Sequence, residues 1–203
     1  SLSLIIPLLA LIVNYSKTIA TKENKEPVFS VLISFAFVVF GLTNVLQIIS
    51  SISNVTPIVS LTNFEYSVRY GYMYSLILIL IPFVYHLVPK IYGREFIYGR
   101  LETFNAYLLG TSVVATLSLN TLIGINSGFS WNAGANAGNP TIYGEGFLIT
   151  WSLISTPYTF ILFLSLLFLL STFLFTLSTL KAIIGGSVTE SETVSEISGD
   201  NDE

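Results

Sequence analysis

Residues 147–180 read FLITWSLISTPYTFILFLSLLFLLSTFLFTLSTL, with no charged side chain between Glu145 and Lys181. A helix needs about 20 mostly apolar residues to cross a hydrocarbon core ~30 Å thick. This run exceeds that length. It predicts a transmembrane helix that tilts, extends beyond the bilayer, or begins with an interfacial turn near Pro157. Four further uncharged stretches follow the same rule: 1–16, ending at Lys17; 27–49; 70–89, between Arg69 and Lys90; and 103–125. All are apolar all round rather than amphipathic, as lipid-facing helices are. The expected fold is all-α: a polytopic bundle of about five transmembrane helices over residues 1–181.

The composition agrees. Of 203 residues, 52% are hydrophobic and 10% charged, and the mean hydropathy is +0.75. A soluble domain is roughly a quarter charged. These values exclude a disordered protein, a nucleic-acid binder and an ordinary soluble enzyme. With no Cys there are no disulfides, thiolate metal sites or Cys nucleophiles. The single histidine, His86, leaves almost no material for a His-based metal or heme site.

The net charge of −4 hides an asymmetry. Glu190, Glu192, Glu196, Asp200, Asp202 and Glu203 all lie near the C-terminus, and no base lies beyond Lys181. Residues 182–203 are rich in Ser, Thr, Gly and acid, and read as a disordered, solvated tail. Lys17, Lys22, Lys25, Lys90, Arg94, Arg100 and Lys181 fall on one side if the spans alternate. The opposite loops, 50–69 and 126–146, hold only Arg69 as a base. The positive-inside rule then predicts a cell-membrane protein with its N-terminus outside and its acidic tail in the cytoplasm. The first span has no basic region ahead of it and no small-residue cleavage pattern. Either an upstream segment was removed or the chain inserts together with partners.

Chemistry-bearing residues are few. The spans carry no paired carboxylates, and no Ser-His-Asp, HxxxH, HxH or CxxC pattern is available. Glu65 and Arg69 are four apart at the start of span three. They read as an exposed surface pair, or more sharply as a docking contact to a partner subunit or a heme propionate. His86, one turn from the end of that span, reads as an interfacial hydrogen-bonding residue, with ligation as the alternative. Asn44, Gln47, Asn105 and Asn120 are expected to hydrogen-bond between helices. The lack of a buried ionisable group argues against an ion-coupled transporter or pump acting alone. The Gly/Asn-rich segment 126–146, with Trp131, Pro140 and Tyr143, reads as an interfacial loop with an aromatic anchor. The sequon Asn54-Val55-Thr56 is a candidate glycosylation site. Asn14-Tyr15-Ser16 also matches, but it lies at the inner end of a span.

The stretch Phe83-Val84-Tyr85-His86-Leu87-Val88-Pro89-Lys90-Ile91-Tyr92-Gly93-Arg94 resembles a segment of subunit I of the B-type heme–copper oxidases. There an aromatic-rich helix ends in Tyr-Trp-Leu-x-Pro-x-x-x-Gly-Arg/Lys before a basic inner loop. The resemblance implies that spans one and two correspond to the family's eighth and ninth helices, and spans three to five to its tenth to twelfth. In the family the tenth helix opens with a heme-ligating His-x-His. The matching positions here are Ser67 and Arg69, and Arg offers no lone pair to iron at physiological pH. The family's copper ligands lie on helices before the eighth and are not in this chain.

The resemblance thus implies a non-catalytic subunit of a respiratory, terminal oxidase-like complex, with no cofactor of its own and heme in partner subunits. Its retained surfaces would bind other membrane subunits, lipids or a quinone. Expected docking residues are Glu65, Arg69 and Trp131 at one face, and His86, Arg94 and Arg100 at the other. Rival expectations are the C-terminal half of a split subunit I, a small transporter, and a membrane anchor whose tail recruits a soluble basic partner.

Overall fold

The computed structural model describes residues 27–60, 62–92, 100–136 and 140–185, plus the isolated positions 6, 10, 13, 14 and 17; of residues 27, 89, 90, 131, 133–136, 140–154 and 185 it describes the backbone only. The described residues form five helices and no strand. These are α1 (Pro27–Ser50), α2 (Thr56–Val59), α3 (Asn63–Ile91), α4 (Arg100–Asn136) and α5 (Pro140–Gly185). All but α2 are long and apolar enough to cross a membrane. The chain is an all-α, polytopic helical bundle. Of the five expected spans, four lie among the described residues. The first, 1–16, lies outside them apart from isolated positions.

Helix α4 is the centre of the bundle and contacts every other helix. The closest-packed neighbours are α4 with α5 and α1 with α3. Buried Val28, Leu32, Ala36 and Val39 of α1 recur at helical spacing and meet Leu78 and Tyr85 of α3 and Ala106, Leu109, Val113 and Leu117 of α4. Small residues bring the backbones close. A Cβ on Gly71 would overlap the Thr43 hydroxyl, one on Gly124 the Phe64 backbone, and one on Gly128 the Ile58 carbonyl. These contacts bring the end of α1, α2, the start of α3 and the late turns of α4 to one end, here the Arg69 end. Arg100 and Lys181 lie exposed toward the other.

Three boundaries differ from expectation. The helix that holds span three starts at Asn63, ahead of the uncharged run that begins at Tyr70. Thr62 caps it: the Phe64 N–H donates to Thr62 Oγ1 at 3.2 Å, and Thr62 Oγ1 donates to the Val59 carbonyl at 2.6 Å. The expected loop 126–146 is largely helix, because α4 runs on to Asn136 and α5 begins at Pro140. Gly128 serves helix–helix contact there, as Gly124 does one turn earlier, and a proline in the first helical turn surrenders no intrahelical bond. Finally, α5 passes straight through Pro157 and beyond the expected boundary at 181–182, ending at Gly185. Of the three outcomes open for the long last run, the turn near Pro157 is not the one adopted, since the helix is continuous there. At 1.5 Å per residue, α4 measures about 55 Å and α5 about 69 Å, both longer than a hydrocarbon core. Residues 186–203, most of the expected tail, lie outside the described residues.

Candidate functional site

The Arg69 end carries a cleft of about 480 Å³. Its construction begins where α1 stops. The hydroxyls of Ser50 and Ser51 both donate to the Gln47 carbonyl, at 2.9 and 2.8 Å. They satisfy an acceptor that the helix end would otherwise strand. The chain then turns through residues 51–55, and Thr56 Oγ1 donates back to the Ser50 carbonyl at 2.7 Å. That bond pins α2 beside the end of α1. Val59, Phe64 and Val68 form the buried apolar cluster beneath. The cleft lies between Gln47 and Ser50 of α1, the α2 turn with Ser60, and Glu65, Arg69 and Tyr72 of α3. Tyr72 donates to Asn44 Oδ1 at 3.3 Å, and Asn44 Nδ2 donates to the Phe40 carbonyl at 2.7 Å.

Glu65 and Arg69 are brought together at the rim, 3.6 Å apart. Their side chains are 52% and 72% exposed, so the pair itself adds little to stability. Asn54 sits exposed in the turn after α1. His86 is half-buried at the far end, its ring 5.9 Å from that of Phe29, where it packs α3 against α1. Arg100 is exposed at the first residue of α4. Arg94 and the Trp131 side chain lie outside the described residues.

Three of the four intramembrane amides bridge helices. Asn44 joins α1 to α3 through Tyr72. Asn105 Nδ2 donates to the Ser171 carbonyl at 3.1 Å, while Ser171 Oγ donates to Asn105 Oδ1 at 2.6 Å. Asn63 Nδ2 donates to Tyr158 Oη at 2.6 Å and faces Asn120 Oδ1 at 3.4 Å. Gln47 instead lines the cleft. The partners Ser171, Tyr72, Asn63 and Tyr158 escaped the sequence reading. A hydroxyl inside an otherwise aliphatic run, such as Ser171 in LLSTF, was the available signal.

The two positions that the oxidase resemblance aligns with heme ligands do not fit a heme. Ser67 is 1% exposed, and its hydroxyl donates to the Asn63 carbonyl of its own helix at 3.0 Å. Arg69, two residues on, is turned about 200° around the helix and reaches the solvated rim beside Glu65. Among the described residues, no three His, Asp or Glu side chains gather as a metal site would require. No protein-family model, curated protein or solved structure matches the chain.

Proposed function

We infer that the chain is a non-catalytic membrane subunit of a respiratory complex of the terminal-oxidase type, packing beside redox-active subunits that hold the heme. The oxidase assignment rests on the resemblance of residues 83–94. The observation that carries the non-catalytic reading is the chemistry at Ser67 and Arg69. One side chain is spent on its own helix and the other on a surface carboxylate. In an 18-residue apolar stretch of the span Ser155–Ile184 in α5 only 11% of the residues are buried, against 44% in that of the span Arg100–Ser130 in α4. That leaves a long apolar helix to lie against a neighbouring subunit. The N-terminus lies outside the cell membrane and the acidic tail inside, by the placement of bases.

Mild-detergent purification of the tagged chain from its native membrane tests this. The expected result is heme bands in the reduced-minus-oxidised spectrum together with larger oxidase-like subunits, and a colourless isolated chain. A colourless complex without redox partners overturns the reading. Heme retained by the isolated chain favours the split-subunit reading instead.

A further inference from the structure

We propose that the cleft at the Arg69 end seats the zwitterionic headgroup of a membrane phospholipid, its phosphate at Arg69 and its ammonium at Glu65. Four observations converge on that ligand. The volume of about 480 Å³ lies within the roughly 300–1,000 Å³ usual for small-ligand sites. The lining is amphiphilic. Phe64 and Val68 give an apolar floor, and Gln47 and Ser60 add amide and hydroxyl groups for ester and phosphate oxygens. The height is that of a headgroup: Arg69 is the last charged residue before the uncharged run 70–89, so the cleft straddles the hydrocarbon boundary. Below it, the same face of α3 continues at helical spacing as Leu76, Leu80 and Phe83, all exposed and apolar. That track suits an acyl or isoprenoid chain descending from the cleft.

The charge pair selects the head. A guanidinium and a carboxylate 3.6 Å apart present no net charge, so a purely anionic head would meet repulsion from Glu65 as it met attraction from Arg69. A phosphate with an adjoining ammonium meets an opposite charge at each end. Opening the rim pair to admit it costs little, since exposed ion pairs are worth roughly 0–1 kcal/mol. The inference rests on the membrane placement of the bundle and not on the oxidase assignment, so a colourless preparation leaves it standing.

The test is native mass spectrometry of the full chain in detergent, titrated with phosphatidylethanolamine or phosphatidylglycerol of matched chains. One phosphatidylethanolamine is expected to be retained preferentially. Arg69→Gln and Glu65→Gln should each weaken retention about tenfold, the loss of one charge-assisted hydrogen bond. Both side chains are exposed, so circular dichroism should confirm an unchanged fold in each variant. Preferential retention of phosphatidylglycerol with a gain on Glu65→Gln overturns the zwitterionic assignment. Retention unchanged in both variants overturns the site. Displacement by equimolar inorganic phosphate or glycerophosphoethanolamine overturns the lipid as the source.

Discussion

Asn105 and Ser171 hold α4 and α5 together by a reciprocal exchange: the amide nitrogen donates to one backbone carbonyl, and the hydroxyl returns to the amide oxygen at 2.6 Å. Both are buried, and neither finds water in a hydrocarbon setting. Interhelical hydrogen bonds in membranes average about 0.6 kcal/mol and reach about 1.7. The double-mutant cycle of Asn105→Ala and Ser171→Ala should therefore give a coupling of about 0.5–1.7 kcal/mol, read from detergent-induced unfolding. A coupling of zero would mean that the two side chains do not meet. The amides were legible in the sequence because carboxamides are scarce in the uncharged runs. Their partners were not, because Ser, Thr and Tyr recur throughout the spans, and most of the hydroxyls bond the carbonyl three or four residues back in their own helix, as Thr43 and Thr116 do. His86 was legible as an interfacial side chain. Its neighbour Phe29, on another helix, was not.

At the scale of the element, glycine was the misleading residue. In water Gly costs a helix about 1 kcal/mol relative to Ala, which is why the Gly/Asn-rich segment after residue 125 reads as a loop. In the bundle Gly128 of that segment lies against the Ile58 carbonyl, one turn beyond Gly124, which lies against the Phe64 backbone. There the missing side chain is what allows α4 to continue past the start of α3. Length and charge placed the four described spans, since those depend on the bilayer alone. The ends of α3, α4 and α5 were not legible, because tertiary contact and caps set them. Backbone cannot yield to a new methyl as a flexible side chain can. Gly124→Ala is thus expected to cost about 1–3 kcal/mol, the usual range for overpacking. Gly41 has nothing within 4 Å of a built Cβ, so Gly41→Ala should be neutral or stabilising by up to about 1 kcal/mol. Thermal unfolding of both variants in one detergent checks the contrast. Equal destabilisation would remove the close-approach account of α4.

For the whole molecule, the polar-inside arrangement explains why composition revealed the class but not the packing. Asn105, Ser112 and Thr116 of α4 are buried while Leu101, Phe104 and Leu122 are exposed, the reverse of a water-soluble helix. A hydropathy profile sees only that each run is apolar. The distribution of bases carries the remaining information, and the sequence makes it directly testable because it contains no cysteine. Asn54 lies at the Arg69 end, whereas Arg100 and Lys181 lie toward the opposite end, and all three are exposed. Single substitutions Asn54→Cys, Arg100→Cys and Lys181→Cys therefore introduce the only thiol in each variant. A membrane-impermeant maleimide applied to intact cells is expected to label Asn54→Cys alone, with the other two labelled only after permeabilisation. Labelling of Arg100→Cys and Lys181→Cys but not Asn54→Cys would keep the bundle and reverse its orientation. Labelling of all three in intact cells would show that the Arg69 and Arg100 ends are not separated by a bilayer, and would remove the membrane-spanning arrangement itself.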